Sequence, residues 1–245
     1  MNRDSVDWRG YLPAITTPFN ERGELDLAAL RKLLEWMAEE GMHGLVIAGT
    51  TGEWFSMDST EKATLFKTVG EVLKGEIPLI AGCNAFTAKE VINTAVTAAK
   101  CGFDGIIVTP PPYVRPCERE VLAFYQDVDR GTELPICIYN WPPGTNIDLS
   151  RNTLEQLAEL DHVVAIKNST ADPEHFLDVM RALNCKLRIF GIPMTAAGAE
   201  LVLNGEADGT MGAGAVLGRT HPEFYNALWE GDRGRALAAA SQDQR

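Results

Sequence analysis

Eight times along the chain a short apolar run gives way to an amphipathic stretch. That alternation constrains the fold more than any other feature. The runs are "LPAITTPF" (12–19), "HGLVIAGT" (43–50), "PLIAGCN" (78–84), "GIIVTPP" (105–111), "LPICIYN" (134–140), "VVAIKNS" (163–169), "LRIFG" (187–191) and "ADGTMGAG" (207–214). Between them lie helical patterns. In the first, Leu27, Leu30, Leu34 and Met37 line one helix face, with Asp26 placed to cap its start and Gly41 its end. In another, Val121, Phe124, Tyr125 and Val128 precede Gly131; Gly102 and Gly205 end helices in the same way. Units repeating every roughly 25–35 residues suit a (β/α)8 barrel, and a doubly wound open sheet is the other fold with this alternation. No linker or shift of composition divides the 245 residues, so one barrel domain over 1–245 is expected.

Strand parity then places the polar residues inside those runs, because successive side chains face opposite ways. In "ICIYN" the branched Ile136 and Ile138 suit the helix-covered outside, which turns Cys137 and Tyr139 inward. In "VVAIK" the same rule sends Val164 and Ile166 outward and Ala165 and Lys167 inward. In "LVIAGT" it turns Val46, Ala48 and Thr50 inward. Tyr139 and Lys167 would thus meet at the carboxyl ends of neighbouring strands, roughly 5 Å apart, where barrels build their sites. A lysine at a strand end more often reaches solvent than acts as a nucleophile. Desolvation inside a barrel, however, favours the neutral amine, and a neighbouring phenol supplies a proton donor and acceptor for imine formation.

The turn "AGTTGEWFS" (48–56) leaves the second strand. Gly49 and Gly52 free its backbone to approach a ligand, and Thr50 and Thr51 add hydroxyls and N–H groups suited to a carboxylate. An ordinary Thr-rich turn reads the same way. No GK[ST] follows, so this is not a P-loop.

Lys and Arg number 22 against 34 Asp and Glu, a formal net charge of −12, which argues against nucleic acid or an anionic membrane as partner. The five cysteines are odd in number and lack a CxxC pair, and the four histidines have no paired-ligand spacing, so neither a disulfide framework nor a metal is expected. The polar start "MNRDSVDWRG" is unlike a signal peptide, and no apolar run approaches a membrane span. A soluble, cytoplasmic protein with reduced thiols is expected. "GTMGAGAVLG" (209–218) has the wrong spacing and context for a dinucleotide loop. "NST" (168–170) is a chance glycosylation sequon.

Together, "GTTGE" (49–53), "GFDGIIVTPPPYVRP" (102–116), "YNWPPGT" (139–145) and "IKNS" (166–169) resemble the dihydrodipicolinate synthase / N-acetylneuraminate lyase family. The likeness runs from "LPAITTPFNERGELD" to "GEADGTMGAG". It implies a (β/α)8 class I aldolase that needs no cofactor, because Lys167 itself forms an imine with the C2 carbonyl of pyruvate or another small 2-keto acid. It implies that Tyr139 shuttles protons and that Thr50 links it to a second tyrosine, often supplied by a neighbouring subunit. Tyr113 stands where that tyrosine is expected. Thr51, with the backbone near Gly49, would hold the carboxylate, and the backbone around Met211 the pyruvyl portion. A homo-oligomer, dimer or tetramer, is implied as well.

Three departures stand out. Gly144 replaces the arginine that in dihydrodipicolinate synthases grips the second substrate's carboxylate. Asn168 replaces the acidic residue that usually follows the lysine. The chain also stops at "GDRGRALAAASQDQR", where relatives usually continue into further helices, so less barrel cover and weaker assembly are expected. The first departure favours a 2-keto-3-deoxy sugar acid, cleaved to pyruvate and an aldehyde or dehydrated. The alternatives are dihydrodipicolinate synthase itself, joining pyruvate to aspartate semialdehyde, and a keto-acid-binding remnant without turnover.

Overall fold

The computed structural model describes residues 1–243. Each apolar run becomes a strand and each amphipathic stretch a helix: β1 (Gly10–Tyr11), α1 (Leu27–Glu39), β2 (Leu45–Ile47), α2 (Ser59–Leu73), β3 (Leu79–Gly82), α3 (Ala88–Lys100), β4 (Gly105–Val108), α4 (Glu118–Gly131) and β5 (Ile136–Asn140). The short α5 (Pro142–Thr145) and α6 (Arg151–Leu157) follow, then β6 (Val163–Asn168), α7 (Pro173–Leu183), β7 (Arg188–Phe190), α8 (Ala196–Leu203), β8 (Gly209–Thr210), α9 (Thr220–Trp229) and α10 (Arg233–Asp243). All strand pairs are parallel, in the order β1-β8-β7-β6-β5-β4-β3-β2. A bridge from Ala14 to Val46 joins the first strand region back to β2. The sheet is therefore a closed (β/α)8 barrel and not a doubly wound open one.

The helix ends follow their sequence signals. The Asp26 carboxylate accepts from the N–H groups of Ala28 and Ala29 at the head of α1, and Gly41 takes the left-handed φ of +78° beyond its end.

Two apolar layers result. The outer one lies between strands and helices and holds Leu45, Ile47, Ile106, Val108, Ile136, Ile138 and Ile166. The inner one fills the barrel with Trp8, Leu12, Val46, Ile80, Ile107, Cys137, Val164, Phe190 and Met211. Trp8, 2% exposed, closes the floor near β4, where a Cβ on Gly105 would lie 2.4 Å from its ring.

The first and last strands are shorter than their apolar runs. Pro13 lacks the N–H a ladder needs, so β1 ends before it and pairing resumes only at Ala14. β8 pairs Gly209 with Gly10, and their backbones approach so closely that a Cβ on Gly209 would sit 2.0 Å from the Gly10 carbonyl oxygen.

Parity holds in β5 but fails in two places. In β6 the register with β5 slips, so Ile136 pairs with Val163 while Cys137 pairs with Ala165. This bulge puts Val164 in the inner layer, contrary to the expectation, and leaves Ala165 there too. Ala48, expected inward, packs with the outer layer because its backbone turns left-handed (φ +55°) just past β2.

At the amino-terminal end of the barrel, Asp208 accepts from both Arg188 (2.7 Å) and Arg3 (2.9 Å), and from the N–H of Ile189 (2.8 Å).

Candidate active site

Tyr139 and Lys167 are cross-strand partners near the carboxyl ends of β5 and β6. On its other side Lys167 pairs with Phe190 of β7. The Lys167 ammonium nitrogen lies 4.3 Å from the centre of the Tyr139 ring. Lys167 takes part in no ion pair found among the described residues. Its side chain is half-buried. Burial without a compensating carboxylate lowers its pKa from 10.5 to about 8. Cys137 lies one inward position below Tyr139, and burial raises its thiol to about 12, so it stays protonated at neutral pH.

Tyr139 is 7% exposed, and burial raises its pKa. The hydroxyls of Ser169 and Thr50 beside its phenol work against that rise by favouring the phenolate. Thr50 thus reaches the site despite the outward turn at Ala48. Ser169 was not among the expected residues, although the parity that turned Lys167 inward also turns the residue two further on. The backbone N–H of Ser169 donates to the Asn140 carbonyl (2.8 Å), which fixes the end of β6 against β5.

Thr51 and Gly49 lie in the turn after β2. A Cβ on Gly49 would make only ordinary contacts, the nearest at 3.4 Å from Val46. Gly52 is tighter: a Cβ there would lie 3.0 Å from the Ile15 carbonyl oxygen, so the chain's own packing needs that glycine. Met211 is buried in the inner layer just beyond β8. Tyr113 is 86% exposed in the loop after β4, with a left-handed φ of +72°, and does not enter the pocket of its own chain. Gly144 lies in α5 beneath the indole of Trp141, which stacks on the Tyr139 ring (centroids 5.9 Å apart, planes 13° apart).

Directly behind Tyr139 and Lys167, the outward-facing Asn140 and Asn168 form a buried amide pair. Asn140 Nδ2 donates to Asn168 Oδ1 (2.9 Å) and to Asp148 Oδ1 (2.7 Å), and its Oδ1 accepts from the N–H of Leu149. Asn168 is therefore a strand-locking amide and does not face the amine. No group of three His, Cys, Asp or Glu among the described residues could hold a metal, and no helix among them is long and apolar enough to cross a membrane.

The family model "Dihydrodipicolinate synthetase family" matches residues 7–244. The chain belongs to that family. A 4-hydroxy-tetrahydrodipicolinate synthase of Ruegeria pomeroyi is 33% identical over 235 residues, 94% of this chain and 79% of that protein. An uncharacterized DapA-like lyase of Rhizobium meliloti is 31% identical over 232 residues, covering 94% and 76%. Among solved structures, the Acinetobacter baumannii dihydrodipicolinate synthase complexed with pyruvate superposes with a TM-score of 0.87 at 30% identity, covering 95% of this chain and 80% of that one. As a member of the dihydrodipicolinate synthetase family, the protein is a class I lyase.

Proposed function

We propose that Lys167 forms an imine with the C2 carbonyl of a 2-keto-3-deoxy sugar acid, and that the protein is an aldolase or dehydratase for such acids. One observation carries the reading: a half-buried amine with no carboxylate partner, its pKa lowered to about 8, against the ring of a tyrosine flanked by two hydroxyls.

In this reading the neutral amine attacks C2 and water leaves, giving a protonated imine. Tyr139, relayed by Thr50 and Ser169, moves the protons of that step. It then takes the proton of the C4 hydroxyl. The C3–C4 bond breaks, its electrons flow to the iminium nitrogen, and an aldehyde departs. Protonation at C3 and hydrolysis release pyruvate. In the dehydratase variant a C3 proton leaves and the C4 hydroxyl departs as water. Thr51 and the backbone near Gly49 hold the substrate carboxylate, the backbone around Met211 contacts the pyruvyl portion, and Gly144 leaves the second half of the site uncharged. Tyr113, exposed on its own chain, is available to a neighbouring copy, so the reading includes a homo-oligomer.

A second reading, condensation of pyruvate with aspartate semialdehyde, draws on the names of the relatives. The absence of a basic residue from "YNWPPGT" weighs against it.

Borohydride reduction in the presence of pyruvate tests the mechanism. A reduced pyruvyl adduct on Lys167 by peptide mass spectrometry is expected, and an unmodified Lys167 would end the proposal. A panel of 2-keto-3-deoxy acids, scored separately for pyruvate release and loss of water, then separates aldolase from dehydratase. Turnover of aspartate semialdehyde alone would favour the second reading.

A further inference from the structure

We infer that Asp148 is a positioning residue for the imine chemistry. Its carboxylate clamps the segment that follows Lys167 to the strand that carries Tyr139, and so keeps the Ser169 hydroxyl beside the phenol. The inference rests on the keto-acid reading of Lys167.

Ser169 lies one residue past the end of β6, where the ladder gives it a single bond, from its N–H to the Asn140 carbonyl (2.8 Å). One backbone bond does not set where a side chain points. Side-chain ties on either side of Ser169 do the rest. Before it, Asn168 Oδ1 accepts from Asn140 Nδ2 (2.9 Å). After it, the Thr170 hydroxyl donates to Asp148 Oδ2 (2.6 Å). The other carboxylate oxygen of Asp148 accepts from the same Asn140 Nδ2 (2.7 Å). The ties close a ring through Asn140, Asn168, Thr170 and Asp148, with Ser169 bracketed inside it. Asn140 directly follows Tyr139, so the ring joins the backbone of the phenol to the backbone of its hydroxyl neighbour.

Asp148 is itself held. The next residue, Leu149, donates its N–H to Asn140 Oδ1 (3.1 Å). His175 of α7 places Nε2 3.0 Å from the Leu149 carbonyl oxygen and 3.4 Å from Asp148 Oδ1. The clamp runs outward from the core: Asn140 and Asn168 are buried, Thr170 is half-buried, and the Asp148 side chain is 38% exposed. A carboxylate that exposed is screened by water, so its charge has little hold on the amine. Its hydrogen bonds keep their direction, and direction is what the Ser169 hydroxyl needs.

The test is the time constant for borohydride-trapped adduct formation between pyruvate and Lys167, which does not depend on how much of a variant is folded. At saturating pyruvate Asp148→Ala should slow the reaction about fivefold, no more than Ser169→Ala does, while the half-saturating concentration moves by less than about twofold. Thr170→Val cuts only the outer tie and should reproduce most of that loss. Asp148→Asn should retain most of the rate, because an amide can accept from Asn140 and donate to the Thr170 oxygen although its charge is gone. In a Ser169→Ala background Asp148→Ala should add less than about twofold, since the hydroxyl it positions is absent. The midpoint of the pH–rate profile should be the same in Asp148→Asn as in the unaltered protein. An unchanged rate in Asp148→Ala or Thr170→Val, a full further fivefold loss in the double variant, or a loss in Asp148→Asn as large as in Asp148→Ala would overturn the proposal; so would a shifted midpoint. Absence of any adduct in the unaltered protein would remove the keto-acid reading and this inference with it, whereas an adduct whose rate ignores Asp148 removes only the clamp.

Discussion

Lys167 and Arg188 sit on neighbouring strands of one barrel, yet the two ends of that barrel treat their charges in opposite ways. At the amino-terminal end Arg188 and Arg3 share the buried Asp208 carboxylate, whose second oxygen accepts from the backbone of Ile189. Each cation there has an anion to bond, and the effect is to fasten β7, β8 and the amino-terminal segment together. At the carboxyl-terminal end Lys167 faces aromatic rings and a neutral thiol, with no anion to hold its proton. The difference separates a charge that stabilises the fold from a charge kept available for chemistry.

Removing each end's ionic role in turn should have opposite consequences. Lys167→Met should abolish the borohydride adduct completely while melting at or above the temperature of the unaltered protein, since an unpaired, half-buried charge is replaced by an apolar chain of similar length. A large loss of stability in Lys167→Met would show that the amine has a structural partner after all. Asp208→Ala should do the reverse: leaving two partly buried guanidinium groups without their anion costs about 2–3 kcal/mol in chemical denaturation. The fraction that remains folded should still form the adduct.

Much of this contrast was legible in the residues, and the failures have specific causes. The eight strand–helix units follow from alternation alone, because a parallel strand covered on both faces must be apolar nearly throughout. Parity placed Tyr139 correctly since β5 is regular from Ile136 to Asn140. For Lys167 the outcome depended on where counting began. Val163 packs outside, so strict alternation from it would send Lys167 outward. The bulge at Val164 restores the inward direction, and nothing in "VVAIKN" marks a bulge, because every residue in the run is compatible with either face. Ala48 is similar: a left-handed alanine has no residue signature. Ser169 was available from the same alternation as Lys167. The stacking of Trp141 over Gly144 was not, because it depends on the fold of α5.

If the carboxyl-terminal end is organised for proton transfer, Tyr139→Phe should slow adduct formation by about 10²-fold or more while preserving the fold, since the ring and its stack on Trp141 remain. Ser169→Ala removes one of the two hydroxyls on the phenol and should fall between Tyr139→Phe and the unaltered protein. Equal rates in all three would mean that the phenol serves only as packing.

The smallest effect, and the most diagnostic of an unpaired amine, is in pH. With the Lys167 pKa near 8 in the folded protein, the neutral fraction falls about tenfold for each unit below that value, so the adduct rate should rise with this slope from pH 6 to pH 7 and level off above pH 8. A slope continuing to pH 10 would indicate an ordinary, solvated lysine. Stability carries the same signature with a definite sign. In the unfolded chain the lysine keeps its proton to about 10.5, whereas the folded protein releases it near 8. Between those values the unfolded state binds more protons, so folding becomes more favourable as pH rises. Lys167→Met lacks this linkage. Its stability advantage over the unaltered protein should therefore be full at pH 7 and shrink steadily toward pH 10, a convergence that the paired arginines at the other end of the barrel cannot produce.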